Sequence, residues 1–381
     1  MYSAPFDPPA RLLTGPGPSN PDPRVIAAMQ RPMLGHLDPD LHELLLDTVE
    51  LLRHAWRAPE DALVLAFSST GTSAMEAGIV NLVAPGETIV VANAGFFGAR
   101  ITQIARRHGV NVIELKAEHG RAVPNSLILA TLDRHPHARL VAVVHAETST
   151  GVEHPLEQLG LAIQQSGHRA LLMADCVTSL GGIELDFARA ELDYAFSCTQ
   201  KCLGAPPGMA PVALSARARE RLQSRTHQPP FSLDLSELER YWIERPATYH
   251  HTAPILNIYA LHEALRLVAA EGLEPRWRRH RVAGSYLQQG IQALGLELLA
   301  EPHRQLAPLT AVLVPDGVDR AAMQSALLRE HGIEVGGGLG PDAPSIWRIG
   351  LMGHNANEET AERVLSAFEI VLDQQHALVA A

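Results

Sequence analysis

The chain has 381 residues, 46% of them hydrophobic, and a formal net charge of −11 at pH 7. This length suggests two or three domains with a sizeable core, and the negative charge disfavours a broad basic surface for nucleic acid. Three cysteines without C-x-x-C spacing argue against a disulfide framework and a zinc knuckle, and no metal site is predicted. The apolar runs are shorter than the roughly 18 residues of a membrane span, and residues 1–5 lack the features of a signal peptide. We therefore expect a cytoplasmic protein with no membrane partner.

The chain begins with a proline-rich segment, residues 1–20, which we interpret as an N-terminal arm. Its run from Thr14 to Asn20 contains too much glycine and proline for a helix or an inner strand. An inert tail is the alternative that composition alone leaves open. The apolar spacing then predicts two amphipathic helices, over residues 23–30 and 39–56.

A repeated pattern follows, in which a short apolar run leads into a turn of small polar residues. The apolar runs lie at 62–67, 88–92, 111–115, 140–144 and 170–174. Strands that are apolar on both faces are typical of a largely parallel sheet covered by helices. Two further runs, at 194–196 and 209–214, are predicted to pair like a hairpin. The sequence thus predicts an α/β fold with a mostly parallel, seven-stranded sheet.

The pattern changes after Pro254, where a long helical region extends over residues 255–294 and carries a basic run at 276–281. We interpret that run as a solvated helix face. Strands near 311–314 and 346–349 and helices over 320–331 and 358–374 complete the chain. We predict an N-terminal arm (1–20), a large domain (21–271) and a small C-terminal αβ domain (272–381).

Candidate functional residues follow the predicted strands. Ligands of open α/β sheets bind at the carboxyl ends of the strands. We therefore expect the following residues to lie near one another: Thr70, Phe97, Thr148, Asp175 and Lys201.

Three of these positions suggest a phosphate and a pyridine ring. The turn at 69–72 begins a helix and offers N–H groups, hydroxyls and the positive end of the helix dipole, which suits a phosphate; ordinary helix capping is the alternative and the commoner role of such turns. Asp175 leaves a buried strand and needs a cationic partner, which a pyridinium nitrogen would supply; a structural hydrogen bond is the alternative. Phe97 could lie flat on a ring or pack in the core. No G-x-G-x-x-G motif is present, which disfavours a nicotinamide cofactor.

Two cationic residues complete the hypothesis. Lys201 lies between an apolar run and a turn rich in glycine and proline, and could form a Schiff base with pyridoxal phosphate and then move a proton. A solvated lysine is the alternative. Arg348 lies within an apolar strand and should have a planar anionic partner, either a substrate carboxylate or an internal carboxylate.

Five motifs together resemble the alanine-glyoxylate aminotransferases, which are class V, fold-type I pyridoxal-phosphate enzymes. They are Thr14-Gly15-Pro16-Gly17-Pro18, His145 to Gly151, Gln200 to Gly208, Tyr249-His250-His251-Thr252 and Arg348-Ile349-Gly350. The resemblance extends from Leu12 to Leu372. It implies a fold-type I transferase that forms a homodimer with active sites at the subunit interface.

The resemblance also implies roles for individual residues. Lys201 would be the Schiff-base lysine and Asp175 would pair with the pyridine nitrogen. The other residues implied to contact the cofactor are Thr70, Gly71, Thr72, Phe97, Thr148, Val177 and Gln200, with Tyr249 and Thr252 reaching the phosphate of the neighbouring subunit. Arg348 and Gly17 are implied to bind the substrate.

The implied reaction transfers an amino group from alanine or serine to glyoxylate by a ping-pong mechanism, giving glycine and a 2-keto acid. The chain also resembles the ureidoglycine-glyoxylate aminotransferases, for example over 199–203 and 346–350. Those enzymes have asparagine and glutamine where this chain has Tyr249 and His36, which favours the alanine or serine donor. A lyase such as a cysteine desulfurase, which needs a mobile cysteine, and a non-catalytic binding protein are further alternatives.

Overall fold

The structure is a computed structural model that describes residues 7–380, with side chains as far as residue 375. The first six residues of the predicted arm and Ala381 lie outside the described residues. The strands are β1 Leu12–Leu13, β2 Leu63–Phe67, β3 Thr88–Asn93, β4 Asn111–Lys116, β5 Leu140–Val144, β6 Ala146–Glu147, β7 Val152–Glu153, β8 Leu171–Asp175, β9 Tyr194–Phe196, β10 Ala210–Leu214, β11 Leu309–Leu313, β12 Ile333–Glu334, β13 Gly336–Gly337 and β14 Ile346–Gly350. The helices are α1 Pro23–Ala28, α2 Pro39–Trp56, α3 Gly71–Leu82, α4 Phe96–Arg107, α5 Asn125–Arg134, α6 Leu156–Ser166, α7 Ala216–Ser224, α8 Leu235–Trp242, α9 Ile255–Glu271, α10 Leu273–Ala293, α11 Arg320–Glu330 and α12 Glu358–Ala380.

The central sheet has seven strands in the order β2-β10-β9-β8-β5-β3-β4. Four neighbouring pairs are parallel, whereas β10 is antiparallel to both β9 and β2. The prediction of a mostly parallel seven-stranded sheet is therefore confirmed, as is the pairing of 194–196 with 209–214. Every residue of β2, β5 and β8 is buried. Parallel neighbours need crossover connections; helices α4, α5 and α6 lie in those that link β3, β4, β5 and β8, whereas residues 176–193, between β8 and β9, form turns without a helix.

The described residues contain two large hydrophobic cores. The main core surrounds the central sheet and extends along the chain from Ala28 to Trp277. The C-terminal core extends from Ala283 to Leu372 and lies around a three-stranded antiparallel sheet of order β11-β14-β13. Helix α10 contributes to both cores. The predicted domain limits at 20/21 and 271/272 stay predictions.

The predicted helical region 255–294 consists of two helices, α9 and α10, separated by Gly272. This residue has φ +83°, in the left-handed region that favours glycine. The arm segment joins the C-terminal part of the chain, because β1 pairs in parallel with β12. Within residues 7–380, no helix is long and apolar enough to cross a membrane.

The interpretation of residues 276–281 as a solvated face is wrong for half of the run. Arg276, Trp277 and His280 are buried, whereas Arg278 and Arg281 are exposed. The helical period places the first three on one face of α10, against the rest of the protein. Charged residues are tolerated there because hydrogen bonds satisfy them, as for Arg276, which donates to the carbonyl oxygens of Gly181 at 3.0 Å and Cys202 at 2.7 Å.

Candidate active site

A cavity of about 200 Å³ lies at the carboxyl ends of the central strands. It is lined by nine residues singled out in the sequence, namely Thr70, Gly71, Thr72, Phe97, Thr148, Asp175, Val177, Gln200 and Lys201. A larger cavity of about 470 Å³ adjoins it at Arg100, between the ends of β3 and β4 and residues 339–344. The smaller cavity is the candidate site, because the buried lysine and the buried carboxylate both face it.

The turn before α3 forms one wall of this cavity. Thr70 caps the helix, and its side chain accepts a hydrogen bond from the backbone N–H of Ser73 at 3.4 Å. A Cβ atom on Gly71 would lie 2.8 Å from Val177, so the close approach of these two segments requires a glycine. The N–H groups of the first turn of a helix have no intrahelical acceptor, and they carry the positive end of its dipole. The turn can therefore bind an anion.

Asp175 ends β8 and is almost fully buried, with 3% of its surface exposed. Its Oδ1 accepts a hydrogen bond from the backbone N–H of Val177 at 2.9 Å. Burial raises the pKa of Asp175 to about 7; the hydrogen bond from Val177 opposes this effect, and the negative charge of Glu147 adds to it. Among the side chains that the structure describes, in residues 7–375, no cationic group forms a salt bridge with this carboxylate, so it can accept a cationic ligand group.

Lys201 also lines the cavity, and burial lowers the pKa of its amine. Its Nζ donates to the carbonyl oxygen of Pro16 in the N-terminal segment. The same segment is bound to the lysine turn by Ser19, whose N–H donates to Gln200 at 3.0 Å and whose hydroxyl donates to the Lys201 carbonyl at 3.2 Å. The alternatives of a solvated lysine and of an inert tail are therefore wrong for these described residues. A desolvated amine is deprotonated more readily, and it then acts as a nucleophile or a base.

Arg348 lies in β14, next to the cavity, and is 6% exposed. Its Nε donates to the carbonyl oxygen of Gly337 at 2.6 Å and its Nη1 to that of Thr148 at 3.2 Å. Burial lowers its pKa to about 10, and the charge of Glu147 opposes this effect. No carboxylate forms a salt bridge with Arg348 in the described part of the chain, which argues against the internal ion pair considered from the sequence.

Two charged residues near the cavity were missed in the sequence. Arg100 lines it, with its guanidinium 4.6 Å from the ring centre of Phe96 and 5.5 Å from that of Phe97, and its Nη1 donates to Thr72 Oγ1 at 3.3 Å. Its spacing of three and four residues from these aromatic residues on one helix could have indicated the contact. Glu147 accepts a hydrogen bond from the backbone N–H of Phe97; the sequence signals were its place three residues after a buried strand and within the motif from His145 to Gly151.

Tyr249 and Thr252 lie outside the cavity of their own chain. Tyr249 is 54% exposed, and its hydroxyl lies 3.4 Å from the Thr252 hydroxyl. Between them, His250 and His251 are joined through their Nδ1 atoms at 2.7 Å, and His251 Nε2 contacts Ser68 Oγ at 2.6 Å. The exposed pair is thus held against the turn that leads to α3, with its polar groups accessible at the surface.

The cysteines do not suit nucleophilic chemistry. Cys176, Cys198 and Cys202 are all buried and unpaired. Burial raises the pKa of Cys198 and of Cys202 to about 12 and that of Cys176 further still. A reactive thiol needs a lowered pKa and access to its target, so these residues disfavour a cysteine-dependent lyase.

A buried lysine, a buried carboxylate and a helix start that can bind an anion come together at the edge of a mostly parallel sheet, an arrangement suited to a cofactor-dependent enzyme. Residues 13–360 match the family Aminotransferase class-V, and the chain belongs to that family. The predicted resemblance is confirmed, and so is the class of enzyme, a transaminase. The family and the fold imply pyridoxal phosphate as the cofactor.

Three relatives illustrate the similarity. The chain is 36% identical over 372 residues to an alanine–glyoxylate aminotransferase of Callithrix jacchus, a match that covers 97% of this chain and 89% of the relative. A solved alanine–glyoxylate aminotransferase from Nostoc sp. superposes with a TM-score of 0.94 at 43% identity, covering 98% of each chain. The ureidoglycine–glyoxylate aminotransferase of Bacillus subtilis superposes with a TM-score of 0.93 at 35% identity, covering 97% of this chain and 95% of the other.

Proposed function

We propose that this protein is a pyridoxal-phosphate-dependent aminotransferase that moves an amino group from alanine or serine to glyoxylate, giving glycine and a 2-keto acid. The observation that carries the proposal is the cavity in which Lys201, Asp175 and the Thr70 turn converge. The choice of substrates is supported by the names of the Callithrix and Nostoc relatives.

The residues of the cavity fit this cofactor. Asp175 is a buried carboxylate in need of a cation, and a protonated pyridine nitrogen would supply one. The start of α3, together with the Thr72 hydroxyl and the Gln200 amide N–H groups in the same cavity lining, would hold the phosphate. Phe97 and Val177 offer the apolar surfaces between which a ring would lie, and Thr148 lines the same cavity.

When bound, the cofactor supplies an electron-withdrawing ring that stores the electron pair left when a Cα–H bond breaks. Lys201 Nζ, with its lowered pKa, would take the proton from the substrate Cα and return it to a neighbouring carbon. Arg348 would hold the substrate carboxylate in a two-pronged contact and so orient the Cα–H bond towards Lys201. Gly17 leaves room for the lysine side chain at this position.

A homodimer is part of the proposal. Tyr249 and Thr252 would bind the phosphate in the partner's cavity, which accounts for their position outside their own. Two exposed apolar side chains lie near this loop. The ring of Phe231 stacks on that of His250, with ring centres 4.8 Å apart, and Leu37 follows His36, whose ring contacts Tyr249. A cytoplasmic location is also proposed, because three buried and unpaired thiols suit a reducing compartment.

Ureidoglycine is the second candidate donor. The two positions that separate the subfamilies, His36 and Tyr249, lie in contact, with ring centres 5.2 Å apart. Because the two side chains contact each other, the differences at His36 and Tyr249 count as one combined difference from the ureidoglycine enzymes and not as two independent ones. The B. subtilis relative supports this alternative by its name, whereas the pair of rings supports alanine or serine.

The proposal can be tested sharply because the chain has only two lysines, Lys116 and Lys201. Borohydride treatment of the protein loaded with pyridoxal phosphate should fix one pyridoxyl group per chain on Lys201, as read by peptide mass spectrometry. Lys116→Arg, at an exposed position, should keep both this label and turnover of alanine with glyoxylate. Lys201→Ala should lose both. Unlabelled Lys201, or full turnover by Lys201→Ala, would contradict the proposal, and a clear preference for ureidoglycine over alanine and serine would overturn the choice of donor.

A further inference from the structure

Glu147 is a buried carboxylate beside the candidate site for which the proposed chemistry has no role. It ends the short strand β6, and none of its surface is exposed. Burial raises the pKa of Glu147, and hydrogen bonds from Ser149, Gly98 and Phe97 oppose this effect. A carboxylate in such a place is tolerated only where donors satisfy its oxygens, so its contacts indicate what it organises.

Two groups of donors meet this carboxylate. Oε2 accepts from the backbone N–H groups of Phe97 at 3.2 Å and Gly98 at 3.3 Å. Oε1 accepts from the Ser149 backbone at 3.1 Å and from its hydroxyl at 2.6 Å. The Ser149 hydroxyl oxygen in turn accepts from the Phe96 backbone at 2.9 Å. The first three N–H groups of α4 therefore all donate either to Glu147 or to the Ser149 hydroxyl that is bound to it.

Gly95 explains why a distant residue supplies this cap. It occupies the N-cap position of α4 and has no side chain to offer. A Cβ atom there would lie 2.3 Å from Ser149 Oγ and 2.8 Å from Glu147 Cδ, so only a glycine permits the approach. The carboxylate of Glu147 takes the place of a local capping side chain and complements the helix dipole.

Glu147 and its neighbour in the chain, Thr148, also contact two residues of the proposed site, Phe97 and Arg348. Phe97, held by one carboxylate oxygen, lines the cavity. Thr148 follows Glu147 directly, and its carbonyl oxygen accepts from Arg348 Nη1 at 3.2 Å. One buried side chain therefore connects the ring-facing helix start with the arginine proposed to hold the substrate.

We propose that Glu147 is a positioning residue, whose carboxylate fixes Phe97 against the cofactor ring and, through Thr148, fixes Arg348 against the substrate carboxylate. This inference rests on the proposed function and adds to it a residue that touches neither ligand.

The test compares Glu147→Gln with a matched control, Asp193→Asn. Glutamine keeps the size of the side chain but replaces one carboxylate oxygen by an NH2 group. That group cannot accept the hydrogen bonds that the replaced oxygen accepts. Asp193 is also a buried carboxylate, accepting from the Leu172 N–H at 2.9 Å and the Ser215 hydroxyl at 2.7 Å. Asp193 directly precedes β9 and so lies at the amino end of the strand, away from the candidate site. Its substitution therefore measures the general cost of changing a buried carboxylate.

In Glu147→Gln we expect the dissociation constant for pyridoxal phosphate and the KM for glyoxylate each to rise about 10- to 100-fold, because a contact misplaced by about 1 Å can cost as much as roughly 100-fold. The visible circular dichroism of the bound cofactor should weaken because the ring loses its fixed neighbour, while kcat at saturating ligand should change less than KM. Asp193→Asn should lose stability towards urea but keep both constants within about twofold of the wild type.

Equal cofactor affinity, dichroism and KM in the two variants would overturn the inference. If Glu147→Gln does not fold, Ser149→Ala provides the test, because it keeps the carboxylate and removes the hydroxyl that joins it to the Phe96 N–H. A rise of about fivefold in both constants is then expected, the effect of one lost hydrogen bond, and unchanged constants would contradict positioning. A wild-type protein that neither binds pyridoxal phosphate nor transfers amino groups would instead contradict the proposed function.

Discussion

Gly17 is the residue whose substitution should affect the candidate lysine most directly. Its φ of +100° lies in the region that favours glycine, and a Cβ atom there would lie 2.6 Å from Lys201 Cδ and 2.7 Å from Nζ. A methyl group must therefore displace either the N-terminal segment or the lysine, and both belong to the proposed site.

Gly17→Ala should lower kcat/KM for alanine and glyoxylate about 100-fold, because the amine would move by a substantial fraction of an ångström. Gly86→Ala is the control: Gly86 has φ +85°, but a Cβ atom there would have no neighbour within 4 Å, so this variant tests backbone strain alone. It should lose about 1–2 kcal/mol of stability and keep its activity. Steady-state kinetics and urea unfolding distinguish the two, and an active Gly17→Ala would contradict the argument.

Residues at the ends of strands could be assigned to the site from the sequence, whereas a contact between residues far apart in the chain could not. Asp175 and Lys201 were predicted to converge because the carboxyl ends of parallel strands share one edge of a sheet. Glu147 binds the backbone of Phe97, 50 residues earlier in the chain. No local pattern encodes such a contact, since it depends on how α4 packs against β6.

At the scale of elements, α10 connects the two cores and the lysine turn. Arg276 donates to Glu271 Oε2 at 2.7 Å and to the Cys202 carbonyl, one residue after Lys201. His280, on the same face, accepts from the Gly353 N–H at 3.0 Å. The sequence showed a basic amphipathic run, but periodicity alone does not tell which face is covered. Only the partners of Arg276 explain why a charge occupies the buried side.

Arg276→Gln should destabilise the protein by about 2–4 kcal/mol, because two carbonyl oxygens lose their donor and the partly exposed Glu271 loses one of its two arginine partners. Arg278→Gln, on the exposed face of the same helix, should change stability by less than about 0.5 kcal/mol. The free energies of unfolding are read from urea titrations of the cofactor-free proteins, followed by far-ultraviolet circular dichroism. Equal urea midpoints of unfolding for the two variants would show that the buried contacts of Arg276 contribute no stability.

At the scale of the whole molecule, the site is incomplete in one chain if Tyr249 and Thr252 serve the partner. The two side chains are joined to each other and exposed, and the His250–His251 pair holds their loop against Ser68. Phe231, which is 62% exposed, stacks on His250 of this loop, and a large exposed apolar side chain there indicates that this face is covered in the assembled protein. The sequence indicated the loop only by resemblance, because a contact between subunits leaves no periodic pattern in either one.

Complementation between two inactive variants tests this arrangement. One carries Lys201→Ala, and the other carries Tyr249→Phe with Thr252→Ala. In a mixed dimer with shared sites, one site combines both defects, but the other takes its lysine from one chain and its intact Tyr249 and Thr252 from the other. Random pairing of equal amounts should therefore restore about a quarter of the wild-type activity per chain, in a species of about twice 41.2 kDa. If both residues served their own chain, each mixed dimer would contain only defective sites, and co-expression would restore nothing beyond the sum of the separate variants.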